Sequence, residues 1–345
     1  MSTVGIIANP MSGRDCRRLL ARADSVSHES KRNQISRIVV GAAAAGCTRI
    51  LAPWDPRQLV IGAVENLTIP IEIEAFRTPL NHSAQDTVQN VDKMRELGCD
   101  VIVVLGGDGT SRIVAKTWPE AVVVPLSTGT NNVFPLLIEP TIAGMAAGLH
   151  ASGRIARDEA AQRAKVIEVK LGGENVDLAL IDALFLQGDR MGNLGPFQPQ
   201  HMKTLVLARA EPDAVGMSPL GGLLCPSGAG DDFGVRVDFC NHEDGGQVLR
   251  APVSPGLFRS AHIKAVEKTP LAQPVEVTGP GILAFDGDRE IALEAGDQAT
   301  LTVSRSGPWV IDPKRTLTLA AERRALVDLP HWLDPYDGSQ LGGCC

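Results

Sequence analysis

The sequence lacks the cysteine and histidine patterns of a zinc site or a disulfide framework. Its seven cysteines include no C-x-x-C pair, and neither they nor the seven histidines follow the spacing of metal ligands. Their odd number, and an N-terminal apolar stretch that is followed rather than preceded by arginines, argue against a secretory signal. We therefore expect a cytoplasmic protein with reduced thiols, and we assign no metal ligands.

Long apolar runs and an excess of positive charge are also missing. No run approaches the roughly 18 residues that a membrane span needs. The formal net charge of -7 argues against broad nucleic-acid binding, because that binding needs an excess of basic groups along a face. We expect neither a membrane nor a nucleic acid as partner, although a local phosphate pocket is still allowed.

What the sequence does contain is a change of pattern between its two halves. Apolar strands alternate with amphipathic segments up to about residue 160, which is typical of a mostly parallel α/β sheet. From about residue 165 strands are separated by turns, which favours a sandwich of antiparallel strands. The predicted strands are 4–8, 50–52, 69–76, 101–105, 121–125, 166–171, 176–186, 233–239, 275–278, 282–285 and 299–304; helices are predicted from about 81 to 98 and in two pieces over 140–163, and a strand with a short helix over 313–326.

Residues 101–110 carry the strongest functional signal. An apolar run that suits a strand buried on both faces ends in Gly106, Gly107 and Gly109 around the single acid Asp108, with Thr110 next. Such a loop lets backbone N–H groups approach a phosphate, and the acid could orient or deprotonate an attacking hydroxyl. An ordinary turn would not need three glycines, so the pattern favours phosphoryl transfer.

Two other loops follow predicted strands of the same sheet. The first holds Asn9, Ser12 and Gly13, and it predicts either an anion site at a helix N-terminus or an ordinary turn between strand and helix. The second, residues 128–132, offers hydroxyls and amides, and could instead be an N-cap cluster that starts a helix near residue 130. Because the carboxyl ends of parallel strands meet at one edge, the three loops together favour a nucleotide site.

Four motifs resemble those of the superfamily of NAD kinases and diacylglycerol/sphingosine-type lipid kinases, and within it the chain is most similar to the AcoX-type branch, the ATP-NAD-kinase-like proteins associated with acetoin catabolism. They occur in the expected order over almost the whole chain. The motif that follows residue 105 is highly specific and the other three are less so. The four motifs are Asn9–Gly13, Gly106–Thr110, Thr128–Asn132 and Phe285–Asp288.

The resemblance implies a two-domain enzyme with an interdomain cleft. The expected fold is an α/β Rossmann-like nucleotide-binding domain (residues 1–160), an all-β, sandwich-like second domain (161–325) and a C-terminal tail (326–345). The implied activity is ATP-dependent, Mg²⁺-assisted phosphoryl transfer to a hydroxyl of a nucleotide-like small molecule, with NAD as the leading acceptor. A homodimer or homotetramer is implied as well.

Site residues follow from the same resemblance. Asp108 would accept the proton of the acceptor hydroxyl. Three acids of the second domain would approach the cleft, although the pair around Gly287 also reads as a two-residue hairpin turn. The phosphate and nucleotide contacts would be Asn9, Ser12, Gly13, Gly106, Gly107, Gly109, Thr110, Thr128, Gly129, Thr130, Asn131 and Asn132, and the second-domain acids Asp182, Asp286 and Asp288.

Two positions depart from the family pattern. Ile181 stands where NAD kinases carry an asparagine before the acid that grips the dinucleotide, which leaves Asp182 either a retained polar contact or a strand-edge residue. Arg112 stands where the lipid kinases carry an acid, and could hold a phosphate or be a solvated helix residue. Two further hypotheses therefore remain. One is an accessory protein that binds nucleotide without turnover. The other is a lipid kinase, which ranks lower because the sequence has no evident amphipathic membrane helix or basic patch.

Overall fold

The first part of the chain forms a parallel sheet covered by helices on both faces, in a computed structural model that describes residues 1–13, 25–129, 132–193, 195 and 197–327. Predicted strand 69–76 is shorter than expected and begins at Glu72. The elements in chain order are β1 (Thr3–Ala8), α1 (His28–Ala44), β2 (Arg49–Pro53), α2 (Leu59–Val64), β3 (Glu72–Phe76), α3 (Ala84–Glu96), β4 (Val101–Gly106), α4 (Asp108–Thr117), β5 (Val122–Ser127), α5 (Pro140–Ala151), α6 (Arg157–Ala160) and β6 (Ala161–Arg163).

Strand order in this sheet determines where its loops meet. The order is β3-β2-β1-β4-β5, and all five strands run parallel. The chain moves outward in one direction from β1 to β3 and in the other from β4 to β5, so the sheet changes direction between β1 and β4. In open α/β sheets ligands bind outside the carboxyl ends of the strands at such a switch point. The loops after β1 and β4 therefore flank the favoured ligand position.

Helices α1 and α5 pack closely on one face of the sheet. A Cβ atom on Gly144 would collide with the backbone oxygen of Ile38, and one on Gly41 with the backbone oxygen of Thr141. The two helices can approach this closely only because these two positions have no side chain. The buried apolar face of α1 packs on the sheet. Helices α3 and α4 pack on the other face through residues such as Met94. The many glycines of this part therefore serve helix packing as well as turns.

The second part of the chain is antiparallel and forms two sheets. Their order is β12-β13-β11-β10-β9-β15-β16 in one sheet and β14-β17-β7-β8 in the other. Apolar side chains from both share one core, which makes this part a sandwich, as predicted. The elements are β7 (Val166–Leu171), β8 (Glu174–Ala179), β9 (Asp182–Leu186), β10 (Met202–Leu207), α7 (Ser218–Gly222), β11 (Phe233–Phe239), β12 (Gln247–Ser254), β13 (Leu257–Pro270), β14 (Pro274–Thr278), β15 (Gly281–Phe285), β16 (Asp288–Leu293) and β17 (Gln298–Ser304).

The predicted single strand 176–186 is wrong, because the chain changes sheets within it. Strand β8 ends at Ala179 in the smaller sheet and β9 begins at Asp182 in the larger one. Between them, the backbone N–H groups of Leu180 and Ile181 bond to the carboxylate of Asp286 and not to a neighbouring strand. The corner between β8 and β9 is thus organised by a side chain that lies about 105 residues further on.

The chain returns to the first sheet near its end. Strand β18 (Trp309–Ile311) pairs in parallel with β5 and antiparallel with β6, and helix α8 (Pro313–Glu322) packs against α5 and α6. The strand predicted within 313–326 therefore lies just before that range. The domain limits 1–160 and 161–325 stay a prediction, and sheet membership favours adding 161–163 and 309–322 to the first unit. Of the predicted tail, residues 328–345 lie outside the described residues.

Candidate functional site

The loops that follow β1, β4 and β5 are joined by direct hydrogen bonds. Nδ2 of Asn9 donates to Oγ1 of Thr110 at 2.8 Å, and the hydroxyl groups of Ser12 and Thr128 lie 2.6 Å apart. The backbone N–H of Thr128 donates to the carbonyl oxygen of Gly106 at 3.0 Å. The structure thus joins the loop after β1 to two loops that lie more than 100 residues further along the chain, and polar contacts fix the relative positions of all three.

A buried lysine of α1 binds the backbone of the loop that follows β1. Lys31 of α1 is fully buried, and its Nζ donates to the carbonyl oxygens of Asn9 at 2.7 Å, Pro10 at 3.2 Å and Ser12 at 2.8 Å. A positive charge is therefore placed beneath the backbone of the loop. Sequence reasoning missed this residue, because a lysine in an amphipathic helix is normally solvated.

Close packing explains two of the glycines, whereas a third has room for a Cβ atom. A Cβ atom on Gly13, which has a φ of +68°, would collide with the backbone oxygen of Thr128. A Cβ atom on Gly107 would lie 2.8 Å from Oδ1 of Asn132. A Cβ atom on Gly109 would meet only Oδ2 of Asp288, at 3.8 Å. Among these three glycines, Gly109 is thus the one whose backbone is accessible from the side of the sandwich.

Asp108 is the first residue of α4 and is buried. Its Oδ1 accepts the backbone N–H of Phe134 at 2.8 Å and that of Val133 at 3.1 Å. Burial, and next the charge of Asp286, raise the pKa of Asp108 to about 7, while these two N–H groups oppose the rise. The carboxyl group is therefore oriented by the segment that follows β5 and changes protonation near neutral pH.

The N-cap interpretation of the loop after β5 concerns a helix that would continue from residues 130–131 into the described segment that begins at Asn132. Residues 132–139 are not helical, and α5 begins at Pro140 with Glu139 as its N-cap. Thr130 and Asn131 themselves lie outside the described residues. The side chain of Asn132 turns back and donates from Nδ2 to Oγ of Ser127 at 2.6 Å, which closes the loop.

Asp286 reaches the same place from the hairpin between β15 and β16. Asp286 has a φ of +48° and Gly287 a φ of +92°, so the two-residue turn has left-handed backbone at both positions, as in a type I′ turn. Its carboxylate accepts backbone N–H groups from Leu180 at 2.9 Å, Ile181 at 2.8 Å and Asp182 at 3.2 Å. The hairpin interpretation is thus confirmed for Asp286, and the residue also lines the cavity described below. Burial raises the pKa of Asp286 above its usual value, although the positive charge of Arg112 and these N–H groups act in the opposite direction.

Asp182 is the carboxylate with unused hydrogen-bonding capacity. It is 6% exposed, and among the described residues its buried Oδ1 has no hydrogen-bond partner. Burial, and then the charges of Asp286 and Asp108, raise its pKa well above the usual range. A buried oxygen of this kind is costly unless a ligand or water satisfies it.

Arg112 is not a solvated helix residue, because its side chain is held by residues of the sandwich. Its side chain is 9% exposed, with Nη2 2.9 Å from Oδ2 of Asp177 and Nη1 2.8 Å from Oε1 of Glu290. Its Nε donates to the carbonyl oxygen of Leu178 at 2.7 Å. The solvated-residue interpretation of Arg112 was therefore wrong, because the residue faces acids of the sandwich that sequence spacing does not reveal, and the phosphate interpretation stays a prediction.

A cavity of about 1500 Å³ lies between the carboxyl edge of the first sheet and the sandwich. Gly106 and Thr128 do not line this cavity, but their hydrogen bonds join the loops that do. The predicted site residues that line it are Asn9, Ser12, Gly13, Gly107, Asp108, Gly109, Thr110, Gly129, Asn132, Asp182, Asp286 and Asp288.

Sequence reasoning missed a further part of the cavity wall, which comes from the loops after β2 and β3 and the first turn of α3. Trp54, Arg57, His82 and Ser83 belong to this part. These loops follow strands of the same parallel sheet, so the carboxyl-edge rule could have found them. The guanidinium of Arg77 lies 4.6 Å from the ring centre of Trp54.

The described ranges hold neither a metal-ligand cluster nor a membrane-spanning helix. Within them, no three His, Cys, Asp or Glu side chains are placed to share one metal ion. None of the helices in those ranges is both long and apolar enough to cross a membrane.

Comparison with known proteins gives two family matches and one curated relative. Residues 4–153 match the ATP-NAD kinase N-terminal domain, and residues 165–306 match the acetoin catabolism protein X C-terminal domain. The acetoin catabolism protein X of Cupriavidus necator is 31% identical over 340 residues, which cover 95% of this chain and 94% of that protein.

Two solved structures are similar in fold. Yeast NADH kinase complexed with NADH has a TM-score of 0.51 at 12% identity, over 96% of this chain and 90% of the other. A putative diacylglycerol kinase from Bacillus anthracis str. Sterne has a TM-score of 0.46 at 15% identity, over 90% of this chain and 97% of the other.

Proposed function

Since the chain belongs to the acetoin catabolism protein X family, within the ATP-NAD-kinase-like superfamily, we propose that it is a small-molecule kinase. It transfers the γ-phosphoryl group of ATP to a hydroxyl of a nucleotide-like molecule, with NAD as the first acceptor to test. The reaction takes place in the cavity between the first sheet and the sandwich. By the same relationship, the protein works in acetoin catabolism, in the cytoplasm, as a homodimer or homotetramer.

One observation carries this proposal: Asp108 lies at the beginning of α4, between two cross-linked loops and opposite the acids of the sandwich. The Asn9–Thr110 and Ser12–Thr128 contacts hold both neighbouring loops against it. Ligand-independent contacts of this kind preorganise a site, which is the main protein contribution to phosphoryl transfer.

The N-terminus of α4 suits the phosphates of the donor. The N-cap residue Gly107 has no side chain with which to cap the first-turn N–H groups, and Gly109 leaves the backbone open toward the cavity. Free first-turn N–H groups and the helix dipole both favour an anion. Lys31 adds a positive charge beneath the adjacent loop. ATP phosphates would therefore lie over α4 and the loop of Asn9.

The residues around the cavity fit Mg²⁺ carried by the nucleotide better than a dedicated protein site. Carboxylate oxygens of Asp182, Asp286 and Asp288 are the ligand type that Mg²⁺ prefers, and the buried Oδ1 of Asp182 lacks a partner among the described residues. No three acids there are arranged as a complete protein site. When bound, Mg²⁺ would neutralise charge on the triphosphate.

Asp108 is the proposed proton acceptor. A pKa of about 7 lets it take a proton from a hydroxyl near neutral pH, and the N–H groups of Val133 and Phe134 fix its orientation. Asp182 is the proposed contact for the acceptor molecule, because its unsatisfied oxygen can accept a hydrogen bond from a ligand hydroxyl. Both roles need only these side chains and a bound hydroxyl compound.

A second function, nucleotide binding without turnover, is favoured by Ile181. This side chain is 1% exposed and packs in an apolar cluster with Ala115, Val133 and Phe134. The position that carries a dinucleotide-gripping asparagine in NAD kinases is therefore part of the core in this chain. An accessory protein of a catabolic pathway would retain the cavity without needing that contact.

An acceptor screen tests the proposal. Purified protein is incubated with radiolabelled ATP, Mg²⁺ and NAD, NADH, nucleosides, sugars or diacylglycerol, and product is separated by chromatography. Asp108→Asn should reduce transfer by about 10²- to 10⁴-fold while ATP still raises the melting temperature. Asp238→Asn, on β11 outside the cavity wall, is the matched control and should keep full activity.

The outcomes separate the candidate functions. NADP formation supports an NAD kinase, and labelling of another hydroxyl compound supports a different small-molecule kinase. Labelled diacylglycerol would instead indicate a lipid kinase. An ATP-dependent rise in melting temperature without any labelled product would replace the kinase with the accessory protein.

A further inference from the structure

Each of the three nitrogen atoms of the Arg112 side chain makes a contact across the boundary between the α/β part and the sandwich. Arg112 belongs to α4, one turn after Asp108. Its three donors reach Leu178, Asp177 and Glu290, all in the sandwich, at 2.7 to 2.9 Å. Its guanidinium carbon also lies 5.2 Å from the ring centre of Phe285. The contact is therefore a fork that holds two separate strands of the sandwich.

The two strands held by this fork are next in sequence to the segments that contain Asp182 and Asp286. Asp177 and Leu178 lie on β8, which leads into the corner whose N–H groups bind Asp286. Glu290 lies on β16, directly after the turn that contains Asp286. Arg112 thus joins the helix that begins with Asp108 to both segments that determine where Asp286 lies.

Charge supports the same arrangement. Desolvation lowers the pKa of Arg112, but the charges of Asp177, Asp286 and Glu290 together raise it above the usual value. In return, Arg112 is the largest factor that lowers the pKa of Asp286. Lys116, one turn further on α4, adds a 3.1 Å contact to Asp177 but is 52% exposed. Arg112 is the buried cation of this group.

We propose that Arg112 is a positioning residue, which holds the β8–β9 corner and the β15–β16 hairpin in register with α4 so that Asp182 and Asp286 face Asp108 across the cavity. It touches no reacting atom. A lysine cannot replace it, because a single ammonium group cannot reproduce three separately directed contacts. The kinetic part of this proposal rests on the proposed function, whereas the structural part does not.

Hydrogen exchange of the ligand-free protein tests the structural part. In Arg112→Lys, the backbone amides of residues 180–182 should exchange at least about tenfold faster than in the wild type, since a tenfold change follows when their opening costs about 1.4 kcal/mol less. The amides of β1 and β13 should be unchanged. Glu290→Gln removes the negative charge of one arm of the fork, although its amide oxygen can still accept a hydrogen bond, and should give a smaller change at the same amides. Arg323→Gln, which breaks the exposed contact to Glu159 on α6, is the control and should change none of them.

Kinetics test the positioning role in the reaction. If Arg112 positions the acids, Arg112→Lys should lower kcat by about 10-fold to 100-fold with little change in the KM for ATP, because small misplacements of reacting groups are costly. A folded Arg112→Lys protein with unchanged exchange at residues 180–182 would overturn the proposal. So would faster exchange throughout the chain, which would indicate a general loss of stability.

The two proposals can fail separately. If the wild type transfers no phosphoryl group to any acceptor, the proposed function fails, and the exchange experiment still decides whether Arg112 holds the corner. If the wild type is active and the exchange pattern changes as expected but kcat does not, the acids held by Arg112 are not needed for transfer and the positioning role is refuted.

Discussion

Nδ2 of Asn9 donates a hydrogen bond to Oγ1 of Thr110, 2.8 Å away, although 101 residues separate them. Asn9 is the first residue after β1, and Thr110 lies in the first turn of α4, which follows β4. The bond therefore spans the switch point of the sheet between β1 and β4. Oδ1 of the same asparagine accepts the N–H of Met11 at 2.8 Å, which shapes its own loop. One amide therefore fixes both sides of the place where the phosphates are proposed to bind.

Removing the hydroxyl of Thr110 should weaken ATP binding. Thr110→Val keeps the shape of the side chain but leaves Nδ2 of Asn9 without its acceptor. A net hydrogen bond contributes about 0.5–1.5 kcal/mol, so the Kd for ATP should rise by up to about 10-fold, measured by isothermal titration calorimetry. Thr110→Ser retains the hydroxyl and should bind ATP nearly as the wild type does. Equal affinities of all three proteins would show that this bond does not prepare the site.

Lys31 should be important for stability despite its charge. Lys31→Met fills much of the same volume but leaves carbonyl oxygens of the Asn9–Ser12 loop without their donor. Each buried polar group left unsatisfied costs about 1–3 kcal/mol, so a loss of about 3 kcal/mol in the free energy of unfolding is expected by urea denaturation. Lys93→Met on α3, where the lysine is 41% exposed, is the control and should change it by less than about 0.5 kcal/mol. A similar small change at Lys31 would contradict the prediction.

The buried cysteines should resist alkylation. Cys47, Cys99, Cys225 and Cys240 are free thiols. Burial raises the pKa of Cys47 to about 11 and that of Cys99 to about 12, so almost no thiolate forms at pH 8. Iodoacetamide at pH 8, followed by peptide mass spectrometry, should modify the partly exposed Cys225 and Cys240 before Cys47 and Cys99. Early modification of Cys99 in the folded protein would show that its surroundings open readily.

The convergence of loops was predictable because it depends on local patterns and one topological rule. An apolar run such as Val101–Leu105, bounded by glycines, favours a strand buried on both faces, and parallel strands place their following loops at one edge. The glycines around Asp108 are informative for the same reason, since the turn after β4 has a backbone that approaches other loops closely. These features are encoded within about ten consecutive residues.

Lys31 and Arg112 were not predictable in this way. Each belongs to an amphipathic helix, where a charged residue is normally solvated, and each is buried by a segment far away in sequence. The acceptors of Lys31 are backbone carbonyls, which no sequence pattern marks. The acids that face Arg112 come from β8 and β16, and one of them is 178 residues away. Only the folded chain reveals such partners.

The corner at Leu180–Ile181 shows a related limit. Residues 176–186 are apolar enough to resemble one continuous strand, and hydrophobic pattern does not show that the chain changes sheets. The signal that breaks the strand is the carboxylate of Asp286, which takes the N–H groups at that point. Ile181 was identified as a departure from the family pattern, but its burial in an apolar cluster could not be read from its position alone.

The acids of the cavity should make the protein less stable as the pH rises. Burial raises the pKa of Asp108 from 3.8 to about 7, and burial also raises the pKa values of Asp182 and Asp286. Between about pH 4 and pH 7 the folded chain therefore binds more protons at Asp108 than the unfolded chain, so the free energy of unfolding falls as the pH rises through this range. The raised pKa values of Asp182 and Asp286 act in the same direction. The shift of roughly three pKa units at Asp108 corresponds to at most about 4 kcal/mol.

Asp108→Asn isolates this contribution. The amide oxygen can still accept the N–H groups of Val133 and Phe134, but the residue no longer titrates, and its lost charge also lowers the pKa of Asp182. Urea denaturation at pH 5.5 and pH 8 should show a clear loss of stability for the wild type and a much smaller loss for the variant. At pH 8 the variant should be the more stable protein, although it transfers phosphoryl groups far more slowly than the wild type. A variant with the full pH dependence would mean that Asp108 is already ionised at pH 5.5, and kcat/KM of the wild type would then stay constant between pH 6 and pH 8 instead of rising as Asp108 ionises.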